Sequence, residues 1–255
     1  MHFEEFKAKV MAAFRLDLNS YKEKQLKRRL DAYIVKLKLK DYEELFRQIT
    51  QKRDEYEKLL DHLTINVSEF FRDPHRFIEL QQHLKDLFKD RQLVRIWSAA
   101  CSNGSEPYSI AIMLEEMGLS GKSSIDATDI DRQILNKAMQ AKYNRDGLKN
   151  VSPERLLRFF DAQGDLYALK DIIKKKVSFR YHDLLHDEYP KNYDLIVCRN
   201  VTIYFTREAQ DLIYKKFHLS LNPNGILFIG GSEMIFNYKE LGYEKLSPCF
   251  YKKTN

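Results

Sequence analysis

The sequence predicts an α/β protein: a doubly wound, mostly parallel sheet with a small antiparallel β-subdomain, preceded by an all-helical N-terminal domain. Three observations carry that expectation. Helical spacing alone fills the first ~60 residues, and no glycine occurs before Gly104. From Leu93 onward, short apolar runs alternate with amphipathic ones, as strands covered by helices on both faces require. Third, a chain of 255 residues that is 44% hydrophobic and 31% charged can build a sizeable core and still keep a wet surface.

Taken in order, Phe3–Phe14, Ser20–Lys38, Tyr42–Ile49 and Asp54–Leu63 repeat apolar residues every three or four positions and are expected as helices. Leu63–Phe71 breaks the pattern. Pro74 suits the first turn of a new helix, Arg76–Lys89, with Asp73 as its N-cap. Leu93–Ser98 reads as a strand, Ala100–Ser105 as a turn of small residues, and Tyr108–Met117 as a helix. Ser124–Thr128 is a second strand, ending at Asp129, and Asp131–Ala141 a further helix. Ser152 and Pro153 open the short helix Ser152–Phe160. Val177–Tyr181, Leu195–Cys198 and Ile226–Gly230 are strands, with the helix Arg207–Leu221 between the last two and a terminal strand at Pro248–Lys252. Gly164–Arg180 fits neither regime and suggests the antiparallel excursion, at about residues 162–181. The expected divisions are 1–65 (helical domain), 66–84 (linker and helix) and 85–255 (sheet domain).

Charge is unevenly spread. Residues 15–40 hold nine Lys or Arg against three acids, a balance of +6 that equals that of the whole chain. Leu26, Leu30, Tyr33, Ile34 and Leu37 give this segment one apolar stripe, leaving a basic face that includes Lys24, Lys27, Arg28 and Lys36. A docking surface for an acidic partner is expected there, beside the plain alternative of a solvated face. Charge alone permits nucleic acid, but no glycine-rich RNA-binding motif, zinc finger or aromatic platform accompanies it, so none is expected.

Other classes are disfavoured. Nowhere do 18 apolar residues run together, and Met1–Val10 lacks the apolar segment of a signal peptide. Cys101, Cys198 and Cys249 fall in or beside predicted strands and are expected as buried thiols, which points to the cytoplasm. The seven histidines form no HExxH pattern, so no metal site is expected. Neither GxSxG nor GK[ST] occurs, which disfavours serine acyl transfer and P-loop phosphate transfer.

What remains is a cofactor constellation. Trp97–Ser109 joins a strand to a helix through small residues, and Gly104 can take a positive φ. Asp129 ends the next strand, where an acid of a doubly wound sheet accepts hydrogen bonds from ribose hydroxyls. Dinucleotide dehydrogenases and enzymes using S-adenosylmethionine share this arrangement. Glu106 favours the second, because a carboxylate in the first turn repels a pyrophosphate yet suits an ammonium and a sulfonium. A third strand then delivers Arg199, Asn200 and Tyr204 to its carboxyl edge.

Four stretches together resemble one family: Ile65–Arg72, Ile96–Ser109, Ala127–Asp131 and Cys198–Phe205. In that order and spacing they are similar to the chemotaxis receptor methyltransferases, the CheR family, over essentially the full chain. The resemblance implies a Rossmann-like, S-adenosylmethionine-binding domain with a small β-subdomain, and methyl transfer to receptor glutamates that leaves S-adenosylhomocysteine. It implies that Asn66, Ser68 and Arg72 belong to a linker closing over the cofactor, that Glu106 faces its methionine part and Asp129 its ribose. Asp183 and Leu184 would lie beside the adenine, Arg199 and Asn200 would line the site, and Tyr204 would face the reacting groups. Arg72 and Tyr204 are the candidates to hold the substrate carboxylate, although Arg72 could instead clasp the cofactor's own.

The chain departs from the common family turn, Gly-Cys-Ser-Thr-Gly-Glu-Glu-Pro, at Ala100, Asn103 and Ser105. Ala100, a cofactor-site residue, asks for a backbone tolerant of a Cβ. The β-subdomain shows no clear match to the loop that grips a receptor's C-terminal peptide in some members, so the partner is expected to be a receptor's helical region, without a peptide tether. The protein is expected to act as a monomer without inserting into the membrane. Transfer to RNA or a small molecule, and a non-catalytic cofactor-sensing module, stand as alternatives.

Overall fold

The computed structural model describes residues 1–64, 68–89 and 91–254. Four helices open the chain: α1 (Phe3–Phe14), α2 (Glu23–Lys36), α3 (Tyr42–Gln51) and α4 (Arg53–Leu63), with a 3₁₀ turn at Leu18–Ser20. Their apolar stripes meet in one core containing Phe6, Val10, Leu26, Leu30, Leu45 and Leu59. Phe14 stacks on Tyr56 at 4.1 Å between ring centroids, which fastens α1 to α4. Asp41 caps α3, its Oδ1 accepting from the backbone N–H groups of Glu43 and Glu44.

The rest of the chain alternates. It runs α5 (Pro74–Lys89), β1 (Val94–Ala99), α6 (Ser105–Glu116), β2 (Ser123–Asp129), α7 (Arg132–Gln140), β3 (Lys142–Tyr143), α8 (Pro153–Phe159), β4 (Phe160–Gln163), β5 (Leu166–Leu169) and α9 (Asp171–Lys174). It ends with β6 (Val177–Tyr181), β7 (Tyr193–Cys198), α10 (Arg207–Ser220), β8 (Leu221–Ile229), β9 (Tyr243–Ser247) and β10 (Phe250–Lys253). The main sheet has the order β6-β2-β1-β7-β8-β10-β9. Its first five strands are parallel, while β10 runs antiparallel to both β8 and β9.

Residues alternate between the two faces along each strand. On β7, Leu195 and Val197 join the core under α5 and α6, while Ile196 and Cys198 join the one under α10. Both faces being covered explains why these strands read as continuous apolar runs. From β1 the chain winds one way to β2 and β6, then returns to place β7 on the other side of β1. The carboxyl ends of β1 and β7 therefore flank the point where strand order reverses, and ligands of open α/β sheets bind there.

Three expectations need correction. The small antiparallel sheet overlaps the expected residues 162–181 only in part: it has the order β3-β5-β4, built from residues 142–143, 160–163 and 166–169. Val177–Tyr181 instead pairs in parallel with β2 in the main sheet. Periodicity could not make that choice, because a short strand reads alike in either sheet. Finally, Asp73 has a φ of +59°, outside the extended conformation usual for an N-cap, and its carboxylate is drawn to Arg199 at 2.6 Å.

Candidate active site

A cavity of about 280 Å³ opens at the switch point. That is near the lower end of small-molecule sites, which run from roughly 300 to 1,000 Å³. Ser68, Arg72, Ala100, Glu106, Asp129, Asp183, Leu184, Arg199, Asn200 and Tyr204 all line it. Asn66 lies outside the described residues.

The floor is the turn after β1. Ala100, Ser102 and Gly104 have φ of +60°, +50° and +84°, so alternate residues of the turn take a left-handed conformation that L side chains resist. Gly104 answers a steric demand as well, since a Cβ there would stand 3.0 Å from the Ala138 Cβ and 3.2 Å from the Phe179 ring. Asn103 and Ser105 compensate one another. The Asn103 Oδ1 accepts from both the Ser105 N–H and hydroxyl, at 3.1 and 2.8 Å, satisfying a donor at the start of α6.

Two carboxylates stand over this floor. Asp129, 6% exposed, accepts from the Ser102 N–H at 2.8 Å and the Asp131 N–H at 3.0 Å. Burial outweighs those hydrogen bonds and raises its pKa to about 6. Glu106 accepts from the Ser98 hydroxyl at 2.8 Å and faces Arg199 at 3.6 Å. Burial raises its pKa as well, with Arg199 acting in opposition. Asp183 adds to the acidic lining, its pKa also raised by burial and its Oδ1 accepting from the Leu185 N–H at 2.8 Å. An acid-rich pocket of this kind suits a cationic ligand and repels phosphate.

The roof is the linker before α5. Phe70 and Phe71 are buried, Phe70 edge-on to Tyr143 and Phe160 of the small sheet. The Phe71 N–H donates to the Ser109 hydroxyl of α6 at 2.9 Å, and Glu69 pairs with Lys149. These anchors hold Ser68 and Arg72 at the cavity. Arg199 joins roof to floor: its Nη2 donates to the Asp73 carboxylate and to the Arg72 carbonyl at 3.1 Å, while Nη1 faces Glu106. It is thus an ion-pair partner and a lining residue together.

Tyr204 ends a 3₁₀ turn that follows β7. The helical domain holds this turn in place, for Lys22 N–H donates to the Tyr204 carbonyl at 2.9 Å and Thr206 N–H to the Ser20 carbonyl at 2.8 Å. Tyr21 packs edge-on against Phe205 between those bonds and reaches the cavity itself. Burial raises the Tyr204 pKa, opposed by Arg29 and Arg72, so both guanidinium groups lie close enough to influence it. Arg29 donates through Nη2 to the His62 carbonyl, tying α2 to α4. Lys24, Lys27, Arg28 and Lys36 are exposed on α2 and do not line the cavity.

Sequence reasoning missed Tyr21, Phe77 and Ile203 as lining residues and Arg29 as a neighbour of Tyr204. Nothing local to Tyr21 marks it. Arg29, partly buried beside exposed Arg28, could have been singled out by its place nearer the apolar stripe of α2. Among the described residues, no group of three or more His, Cys, Asp or Glu is placed to hold a metal, and no helix is long and apolar enough to cross a membrane.

Known proteins show the same two-part design. Residues 66–248 match the family model described as CheR methyltransferase, SAM binding domain, and residues 1–64 match CheR methyltransferase, all-alpha domain. A chemotaxis protein methyltransferase of Listeria monocytogenes is 43% identical, covering 94% of this chain and 92% of its own. Chemotaxis protein methyltransferase 1 of Pseudomonas aeruginosa is 36% identical, covering 92% and 90%. That of Escherichia coli is 37% identical, covering 72% and 66%.

Proposed function

The chain belongs to the CheR methyltransferase family and is an S-adenosylmethionine-dependent methyltransferase; on that premise we propose that it esterifies glutamate side chains of methyl-accepting chemotaxis receptors. The observation that carries this reading is one cavity lined together by Glu106, Asp129 and Asp183 and by Arg72 and Tyr204. The acidic lining fits a donor bearing an ammonium and a sulfonium. Glu106 would hold the ammonium end, Asp129 the ribose hydroxyls, and Asp183 with Leu184 the adenine edge.

S-adenosylmethionine supplies a methyl group on a positively charged sulfur. It would give that methyl to one carboxylate oxygen, the carbon–sulfur bond breaking with its electron pair kept by sulfur. A glutamate has a reference pKa of about 4.3 and is ionised near neutrality, so no general base is needed. No proton moves. The protein's task is to hold the three atoms in line and keep water out. Anion and sulfonium neutralise one another in the transition state, so a dry pocket speeds the step. Tyr204 and Arg72 would hold the incoming carboxylate, and the buried Phe70–Phe71 linker would exclude solvent.

The exposed cations of α2 give the reading its partner. Lys24, Lys27, Arg28 and Lys36 would attract the acidic helical region of a receptor and steer its encounter with the cavity. This surface needs no peptide tether, so receptors lacking their C-terminal residues remain substrates.

The test is incubation with methyl-labelled S-adenosylmethionine and receptor-bearing membranes of the same source. Label on the receptor band should be released by mild base, as a carboxyl methyl ester is. Base-stable label, or label on RNA, would overturn the substrate class. S-adenosylhomocysteine binding without transfer would favour a sensing module.

A further inference from the structure

Glu233 follows β8, three residues beyond Gly230. It is 6% exposed and is absent from the cavity lining, which takes its neighbour Ser232 instead. Its carboxylate gathers five hydrogen bonds. Oε1 accepts from the Val201 N–H at 3.0 Å, the Thr202 N–H at 2.8 Å and the Thr202 hydroxyl at 2.7 Å. Oε2 accepts from the Asn200 N–H at 2.9 Å and the Gly230 N–H at 2.6 Å. Gly230 makes room for this, since a Cβ there would stand 2.8 Å from Oε2 and 2.9 Å from the Asn200 nitrogen.

The donors belong to the turn that leads from β7 into the 3₁₀ turn Thr202–Tyr204. Asn200 has a φ of +62°, and Val201 also leaves the helical and extended regions. Three consecutive N–H groups converge on one acceptor, a concave arrangement that binds anions well. Such a turn would otherwise leave several buried donors unmatched, at a cost of about 1–3 kcal/mol each.

We propose that Glu233 is a positioning residue for methyl transfer: by gathering the Asn200–Thr202 turn it sets where Tyr204 meets the reacting carboxylate. The inference rests on the assignment of Tyr204 above. Glu233 acts from behind the turn, while the helical domain holds the same turn from the front through Lys22 and Ser20.

The test is a double-mutant cycle with Glu233→Gln and Tyr204→Phe, read as turnover at saturating S-adenosylmethionine. Glutamine keeps the shape but turns an NH₂ group toward backbone donors. Glu233→Gln should lower kcat by at least about tenfold in the parent but by less than about threefold when Tyr204 is already Phe, as residues acting through one another do. Equal losses in both backgrounds, or no loss in the parent, would overturn the proposal, because general damage to the fold ignores the identity of residue 204. Should Glu233→Gln fail to fold, Thr202→Val removes the hydroxyl bonds to Glu233 and to Tyr214. The same non-additivity with Tyr204→Phe is expected with a smaller loss, and Tyr214→Phe, which removes the second bond alone, should leave turnover unchanged. Unchanged turnover in Tyr204→Phe alone would instead remove the Tyr204 assignment, taking the proposal with it.

Discussion

Asp129 accepts two backbone hydrogen bonds and is 6% exposed, whereas Lys27 on α2 is exposed and its ion-pair partner Asp31 stands 4.0 Å away. The first belongs to a wall built at contact distance, where burial, with the nearby Asp131 charge, moves the carboxyl to about 6 against its backbone hydrogen bonds. The second belongs to a surface whose individual pairs stabilise little, and whose effect is the summed field of many cations. The contrast teaches where each kind of change should register. Small steric changes should disturb the proposed cofactor wall, and only changes of charge should disturb the proposed docking wall.

The comparison breaks most sharply at Gly104. Gly104→Ala places a Cβ against Ala138, Tyr108 and Phe179 in a left-handed conformation, and should cost about 2–4 kcal/mol in denaturant unfolding. A shift within error of the parent would mean that the turn relaxes freely. Next comes pH. On the proposed ribose role, hydroxyls would donate to the ionised form of Asp129, so S-adenosylhomocysteine affinity should fall as pH drops through about 6, approaching tenfold per pH unit. Calorimetric titration of Asp129→Asn should show weaker binding with a flatter profile; an unaltered slope would take the ribose role from Asp129.

On the docking wall, reversing Lys27 and Arg28 to Glu should slow association with receptor membranes roughly tenfold at low salt and flatten the salt dependence. Cofactor affinity should stay as it was, and a change there instead would mean that the two walls are not independent. The smallest effect is expected at Ala100. Its φ of +60° makes Ala100→Gly stabilising by about 1 kcal/mol, read as a higher denaturant midpoint. Lower stability would show that the turn holds its Cβ by packing.

Much of this was legible beforehand for a local reason. The alternation of elements followed from apolar spacing, Asp129, Arg199 and Asn200 from polar residues that abruptly end apolar strands, and Glu106 from an acid in the turn that opens the first helix after β1. The small sheet was misplaced because β3 is only two residues long and β6 lacks any feature that assigns it to one sheet over the other. Asp73 looked like a helix cap because its only visible neighbour in sequence was Pro74. Its partner Arg199 is 126 residues away. Glu233 drew no notice, since a single acid after Gly-Gly-Ser has no local signature.

The sequence by itself determined the N-terminal helices, the strands of the parallel sheet with the longer helices between them, which strand ends carry the polar residues that line the cavity, and where the basic face lies. Those properties depend on side-chain period and composition within a few turns of chain. Tertiary structure alone decided that β1 and β7 lie side by side, that Tyr21 closes onto Phe205, and that Glu233 gathers the Tyr204 turn. Each joins residues far apart in the chain, and many pairings satisfy the same local pattern. Only simultaneous burial of both sheet faces and satisfaction of the buried backbone donors selects one of them.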